Sequence, residues 1–327
     1  MAIKRSIKRS ADPNSYTLGQ ALEEFLIEKE AQNKSAKTIA NYKQSLSYFT
    51  AFHNLDEDTP LDEITQSHFY KWINSLRIDG TKPTTINHYL RDCRVFFYWC
   101  MDEDRGYMPS FKIKQVEGQE EQIKLFPDEE LEALLVKPER SNNKFTDWRT
   151  WVIVNWVLAT GNRCSTIVDV KVGDVDFRRN EITLHHTKNK KAQIIPLSSS
   201  LATVLKEYIK MWLDGGKNKE AWLFPNVGEE KLTTGALQNS FSKYCVARGC
   251  THKNLHGLRH NFAKLFIKNN GDMYKLQKIL GHSSLDMTRR YVNMFSEDIK
   301  EDYDKFSPLD SLKRKQKRTQ TIKRNDY

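Results

Sequence analysis

Residues 147–161, DWRTWVIVNWVLATG, are strongly apolar and follow a helical pattern. A helix with so few polar positions must be covered by other elements, so it is predicted to lie centrally in a folded domain. The chain has no run of about 18 apolar residues, the length that a membrane-spanning helix needs. Its composition, 29% charged and 39% hydrophobic residues, is ordinary for a folded soluble protein and excludes a disordered one.

The N-terminal part of the chain contains helical patterns only. Thr17 and Gln20 form the sequence signature of a capping box that opens a helix. Pro83 is suited to a first helical turn. Four helices are predicted, which begin near Thr17, Ser35, residue 65 and Pro83. They form a compact helical domain over residues 15–108, and the polar stretch 109–124 is predicted to be a linker.

Residues 125–308 mix helix and strand patterns. EITLHH (181–186) and AQIIPL (192–197) alternate like strands, joined by the basic turn TKNKK. Helical patterns cover residues 127–136, 147–161, 199–213, 233–248, 257–269, 273–280 and 285–293. The predicted fold class is therefore mainly α with a small antiparallel sheet (α+β), in which the second domain carries the sheet.

The net charge of +10 lies at the two ends of the chain. Residues 1–10 contain four basic residues and no acid, and residues 311–327 contain seven basic residues and one acid. The rest of the chain is therefore nearly neutral. The basic N-terminal arm (1–14) and C-terminal tail (309–327) either lie on nucleic-acid phosphates or are simply solvated.

The five cysteines show no C-x-x-C spacing, which argues against a zinc site. They are predicted to be reduced, mostly buried thiols of a cytoplasmic protein. The N-terminal sequence MAIKRSIKRS has no apolar segment behind its basic residues and is not a secretory signal.

The stretch ILGHSSLDMTRRYVNM (279–294) places His282 nine residues before Tyr291. One interpretation is structural, a capped histidine and a packed tyrosine ring. The other is that Tyr291 attacks a DNA phosphodiester. Such a reaction needs cations for the non-bridging oxygens, a proton acceptor for the tyrosine and a proton donor for the leaving oxygen.

Candidates for these groups occur in order along the chain, although each is a weak signal by itself. Arg163 follows a small-residue break after the apolar helix, and Lys188 lies in the predicted hairpin turn. His256 and Arg259 lie three residues apart on one helical face. The same H-x-x-R spacing recurs at His88 and Arg91, where it is interpreted as a solvated or DNA-facing surface.

As a set, these motifs resemble the tyrosine recombinase family of phage integrases and Xer-like proteins, over roughly residues 15–305. The family's Thr-Gly-x-Arg, its hairpin lysine motif, His-x-x-Arg-His and Leu-Gly-His-Ser-Ser with a tyrosine nine residues after its histidine all occur in the family's order. The hairpin motif aligns without gaps to residues 187–197. The catalytic positions that match are Arg163, Lys188, His256, Arg259, His282 and Tyr291.

The resemblance implies a helical SAM-like core-binding domain, a catalytic domain and a site-specific DNA recombinase that integrates a phage or mobile element. Arg163, Arg259 and His282 would hold the scissile phosphate. Tyr291 would form a 3′-phosphotyrosyl intermediate, without metal or other cofactor, while His256 accepts its proton or steadies the phosphate.

Lys188 would then protonate the leaving 5′ oxygen. The implied partners are double-stranded recombination sites, a homo-tetramer on DNA and an accessory directionality factor, with no membrane partner. His260 is predicted to be structural, and the rival tyrosines Tyr303 and Tyr327 lack a histidine at the right distance.

Several positions depart from the family pattern. Thr166 stands where glutamate is usual, so Arg163 must be supported by another group. Thr187 and Gln193 replace a glycine and an arginine of the hairpin motif, and Asn261 stands where threonine is common. None of these changes removes a reacting group.

Two further features bear on assembly and function. Phe295, Ile299 and Tyr303 repeat at four-residue spacing, and a helix with this face is expected to dock on a neighbouring subunit. Two alternative functions stay open: relaxation of supercoils in the manner of a type IB topoisomerase, and DNA binding by a decayed recombinase that acts as a regulator.

Overall fold

The structure is a computed structural model that describes residues 16–118, 124–139, 144–185 and 192–282. The chain divides into two compact units, residues 1–121 and 122–327. None of the described helices is long and apolar enough to cross a membrane.

The described part of the first unit contains four α-helices: α1 (Leu18–Ala31), α2 (Ala36–His53), α3 (Gln66–Ile78) and α4 (Pro83–Cys100). Their starts agree with the sequence prediction. Thr17 and Gln20 form the predicted capping box, and Pro83 occupies the first turn of α4. The helices enclose an aromatic core, in which the ring of Phe49 packs on those of Phe69, Trp72 and Phe97.

The described part of the predicted linker, residues 109–118, belongs to the first unit and packs on α4. The Ile113 side chain is only 1% exposed, and its backbone N–H donates to the Tyr98 hydroxyl at 3.0 Å. The Asn87 amide bonds both backbone groups of Val116, each at 2.8 Å. The segment shows no helical or strand periodicity in its sequence, because single residues fix it to the helices and it has no continuous apolar face.

The second unit contains seven α-helices and three strands in its described residues. The helices are α5 (Asp128–Leu135), α6 (Phe145–Thr160), α7 (Cys164–Ile167), α8 (Ser199–Trp212), α9 (Thr234–Ala247), α10 (Leu255–Lys268) and α11 (Met273–Leu280). The strands are β1 (Val175–Asp176), β2 (Glu181–Leu184) and β3 (Gln193–Pro196), antiparallel in the order β1-β2-β3.

These elements confirm the mainly helical class with a small antiparallel sheet. β2 and β3 form the predicted hairpin, with Leu184 opposite Gln193. The two-residue strand β1 was not predicted, because it is too short to show an alternating pattern. The helix predicted at 285–293 lies outside the described residues.

Helix α6 is the centre of the second unit, as its sequence predicts. Its tryptophans Trp148 and Trp156 are at most 1% exposed, and Val152 and Val154 are fully buried. Helices α5, α8, α9 and α10 all contact it. Burying residues on every side explains why this helix has no polar face.

The five cysteines are free thiols. Four of them are buried and Cys164 is half-buried, as predicted for mostly buried thiols.

Asn261 joins α10 to the segment that precedes α5. Its amide donates to the Phe126 carbonyl at 2.8 Å and accepts from the Phe126 backbone N–H at 2.9 Å. Asn261 is 2% exposed, so the Phe126 N–H and carbonyl form their hydrogen bonds with this side chain and not with water. Threonine, which the family resemblance led us to expect here, has a shorter side chain with only one hydroxyl.

Replacing Asn261 by alanine leaves two buried backbone groups of Phe126 without this partner. We expect the free energy of unfolding of the second unit to fall by about 2–3 kcal/mol, measured by urea denaturation. The matched control is Asn239→Ala on exposed α9 surface, which we expect to change it by less than about 0.5 kcal/mol. Equal losses in the two variants would contradict this role of Asn261.

Candidate active site

Arg163 is placed by the turn that ends α6. Gly161 caps the helix in the left-handed conformation, with φ of 63°. The next residue, Asn162, accepts a hydrogen bond from the Trp156 indole at 2.9 Å, and its backbone N–H donates to the Thr160 hydroxyl at 3.3 Å. Arg163 follows as the N-terminal cap of α7 and is half-buried.

Arg259 lies on α10 and is only 2% exposed. Its Nη1 donates to the Gly161 carbonyl at 2.6 Å, and its Nη2 donates to the Leu280 carbonyl at 3.0 Å. The same Nη2 lies 2.9 Å from His282 Nε2. A buried guanidinium needs such acceptors, because an unpaired charge in the protein interior is costly.

The C-terminal turn of α11 brings three predicted site residues together. Gly281 caps this helix in the left-handed conformation, and His282 follows it. The Leu280 carbonyl accepts from Arg259 and, at a longer 3.4 Å, from Arg163 Nη1. Two guanidinium groups therefore meet at one oxygen, beside the imidazole of His282.

His282 is a neutral imidazole in this arrangement. Arginine can only donate, so Nε2 accepts from Arg259 and the ring proton is on Nδ1. Burial lowers the pKa of His282 to about 4, helped by the positive charges of Arg259 and Arg163 and by the neighbouring His256 and His260. Two arginines and a neutral histidine are suited to bind a phosphate, because guanidinium groups match its oxygens.

His256 and His260 lie one helical turn apart on α10. Their rings meet edge to face, with centroids 4.6 Å apart. The pKa of His256 is lowered by desolvation and then by Arg259 and Arg163. Burial lowers the pKa of His260 to about 4, with smaller contributions from His256 and Arg259. His256 therefore lies close enough to both arginines for their charges to affect its pKa. It is the more exposed of the two histidines.

Lys188 and Tyr291 lie outside the described residues, so their places in the site stay predictions. Thr166, which stands where glutamate is usual, is buried. The Leu280 carbonyl accepts a hydrogen bond from Arg163. This agrees with the expectation that a group other than residue 166 supports Arg163.

The second H-x-x-R pair has a different role, in the first unit. Asp92 is 2% exposed and accepts from the Ser45 hydroxyl at 3.2 Å and from Arg91 Nε at 3.2 Å. His88 Nε2 lies 3.6 Å from the same carboxylate. His88 and Arg91 therefore contact a buried carboxylate while their own side chains stay at the surface. The H-x-x-R spacing alone did not indicate this structural role.

Sequence reasoning missed the groups that hold this site together. The carbonyls of Gly161 and Leu280 carry no side-chain signal, so no motif could identify them as acceptors. Gln193 was noted only as a departure from the family pattern. It donates to the carbonyls of Lys278 and Ile279 in the turn that carries His282.

Comparison with known proteins agrees with this fold. Residues 124–297 match the phage integrase family, and residues 21–106 match the N-terminal SAM-like domain of phage integrases. The chain belongs to the phage integrase family, the tyrosine-type site-specific recombinases. The predicted family, enzyme class and pairing of a SAM-like domain with a catalytic domain are confirmed.

Among similar proteins, the tyrosine recombinase XerD of Listeria monocytogenes is 25% identical over 283 residues, which cover 84% of this chain and 93% of that protein. The solved structure of the XerH site-specific recombinase bound to palindromic difH substrate matches with a TM-score of 0.67 and 23% identity, over 86% of this chain and 83% of that one. A lambda integrase tetramer bound to a Holliday junction matches with a TM-score of 0.66 and 19% identity, over 85% and 78% of the two chains.

The role of Gly161 in the site can be tested by alanine substitution. An added Cβ would lie 2.4 Å from the Phe262 ring and 2.6 Å from Leu280, in addition to the strained positive φ. Gly249 also has a positive φ, of 72°, but an added Cβ would meet nothing within 4 Å.

We expect Gly249→Ala to lower the free energy of unfolding by about 1 kcal/mol, because alanine is strained in the left-handed conformation. Gly161→Ala should lower the free energy of unfolding by about 1–3 kcal/mol more than this, the typical cost of overpacking a core. Urea denaturation of both variants measures the difference. Similar losses would mean that backbone conformation, and not contact with Phe262 and Leu280, is what requires glycine.

The low pKa values of His260 and His282 predict how stability depends on pH. Both are about 4 in the folded chain, against about 6.5 in an unfolded one. Between these values the unfolded state binds more protons, so the free energy of unfolding should fall as pH falls from about 6.5 to about 4 and be insensitive to these groups above that window.

In His282→Gln, the slope of unfolding free energy against pH should be shallower by up to about 1.4 kcal/mol per pH unit within this window. Urea titrations at a series of pH values measure it for both proteins. Identical slopes would show that His282 is not held neutral by burial.

Proposed function

We propose that this protein is a site-specific DNA recombinase of a phage or mobile element, which integrates DNA by cutting and rejoining strands through a 3′-phosphotyrosyl intermediate. The observation that carries the proposal is the meeting of Arg163 and Arg259 at the Leu280 carbonyl, beside His282. These residues come from three separate elements and are matched by the family's motifs.

In the proposed reaction Arg163, Arg259 and His282 bind the non-bridging oxygens of the scissile phosphate. The two guanidinium groups supply positive charge with fixed geometry, which stabilises the charge that develops on these oxygens. His282, neutral at physiological pH, contributes a hydrogen bond without adding a third charge.

The phenolic oxygen of Tyr291 forms a bond to phosphorus while the bond from phosphorus to the 5′ oxygen breaks. His256 accepts the tyrosine proton or steadies the phosphate, and Lys188 protonates the leaving oxygen. The phosphotyrosine keeps the energy of the broken bond, so a new 5′ hydroxyl can reverse the step without ATP or metal.

Recombination of two duplexes requires two rounds of this exchange through a four-way junction. We propose a homo-tetramer on DNA, in line with the lambda integrase tetramer bound to a Holliday junction that this fold resembles. The accessory directionality factor and the cytoplasmic location predicted from the sequence belong to the same proposal.

A nicked suicide duplex tests the chemistry, since loss of a short fragment after cleavage traps the covalent adduct. We expect the wild-type chain to form this adduct with a cognate site and Tyr291→Phe to form none, because phenylalanine has no oxygen nucleophile. Denaturing gel electrophoresis resolves the adduct from free protein. The matched control is Tyr327→Phe, which should keep the adduct.

Different results point to the alternative functions. Relaxation of supercoiled plasmids without site preference would favour an activity like that of a type IB topoisomerase. Binding to specific DNA with no adduct at any site would favour the DNA-binding regulator. An adduct that survives in Tyr291→Phe would reject Tyr291 as the nucleophile.

A further inference from the structure

Gln193 joins the sheet of the second unit to the turn that carries His282. It lies on β3, opposite Leu184 of β2. Its Nε2 donates to the Lys278 carbonyl and to the Ile279 carbonyl, the latter at 3.1 Å. A Cβ added at Gly281 would lie 3.2 Å from Gln193 Oε1, so the whole amide faces this turn.

The contact matters because the last four carbonyls of a helix have no partners within the helix. In α11, the Gln277 carbonyl accepts from the His282 backbone N–H at 3.1 Å. The Leu280 carbonyl accepts from Arg163 and Arg259. Gln193 donates to the two carbonyls between them, of which that of Lys278 also accepts from the Gly281 backbone N–H at 3.0 Å. Side chains from other elements therefore bind three successive carbonyls of this turn.

A neutral amide suits this position for an electrostatic reason. Arg163 and Arg259 already lie at the adjacent Leu280 carbonyl, and their charges lower the pKa of His282. Glutamine donates hydrogen bonds as arginine does, but without adding a third positive charge beside them.

We propose that Gln193 is a positioning residue of the candidate site: its amide holds the C-terminal turn of α11 and thereby sets the position of His282. The effect on DNA cleavage rests on the proposed function, whereas the effect on His282 does not. Gln193 acts through His282 and has no contact with DNA in this proposal.

The direct test follows His282 in protein labelled with ¹³C-histidine, titrated by NMR, with the His282→Gln variant used to assign its signal. In Gln193→Leu the turn loses two donors, so His282 should be less buried and less close to Arg259. We expect its pKa to rise measurably from about 4. Gln193→Arg keeps donors at a similar reach and should keep the pKa at the wild-type value or below it.

The matched control is Gln238→Leu. Gln238 on α9 also donates from its amide to a backbone carbonyl, that of Lys253 at 3.0 Å, which is not part of the turn that carries His282. It should leave the His282 titration unchanged. An unchanged His282 titration in Gln193→Leu, or an equal change in Gln238→Leu, would overturn the proposal.

The second measurement is the single-turnover cleavage rate on the nicked duplex. We expect Gln193→Leu to slow cleavage about 10- to 100-fold, as small displacements of catalytic groups do, with DNA affinity within about twofold. In a His282→Gln background the same substitution should add less than about twofold, because coupled residues are not additive. Equal effects in both backgrounds would show that Gln193 does not act through His282.

The two proposals fail in different ways. If the wild-type chain forms no adduct, the proposed function fails, but the NMR titration still decides whether Gln193 positions His282. If the adduct forms and the titration does not change in Gln193→Leu, only the role of Gln193 is rejected.

Discussion

The candidate site depends on the buried guanidinium of Arg259. With 2% of its surface exposed, this side chain would destabilise the fold unless protein atoms replaced its water. It donates to the carbonyls that end two helices, at Gly161 and Leu280, and contacts His282. Helices α6, α10 and α11 are therefore joined by one charged group, and the same group is the one proposed to bind phosphate.

Both carbonyls are available because their helices end in left-handed glycines. Gly161 and Gly281 turn the chain sharply, which exposes the last carbonyl groups of α6 and α11 to side chains from elsewhere. The Thr-Gly-x-Arg and Leu-Gly-His motifs thus have a structural meaning besides a chemical one. In each, the glycine ends a helix and the charged or titratable residue follows within two positions.

The electrostatics of the site follow from the same burial. Arg259 lies close enough to lower the pKa of His256, His260 and His282, and Arg163 lowers the pKa of His256 and His282. Desolvation is the larger cause in each case. The histidines are therefore neutral where the arginines are charged. A site of this kind separates the two tasks of phosphate chemistry, since the arginines provide fixed charge and the imidazoles remain able to donate or accept hydrogen bonds.

Local sequence signals determined much of this protein. The capping box at Thr17, Pro83 in a first turn, the apolar helix α6 and the alternating hairpin strands each depend on neighbours within a few residues, and each was predicted correctly. The ordered motifs likewise determined the family. Tertiary structure alone decided how the site is held: Arg259 reaches a carbonyl 98 positions away, Gln193 one 85 positions away, and Asn261 one 135 positions away. Such partners depend on how the helices pack, and a backbone carbonyl has no residue identity by which a sequence could reveal it.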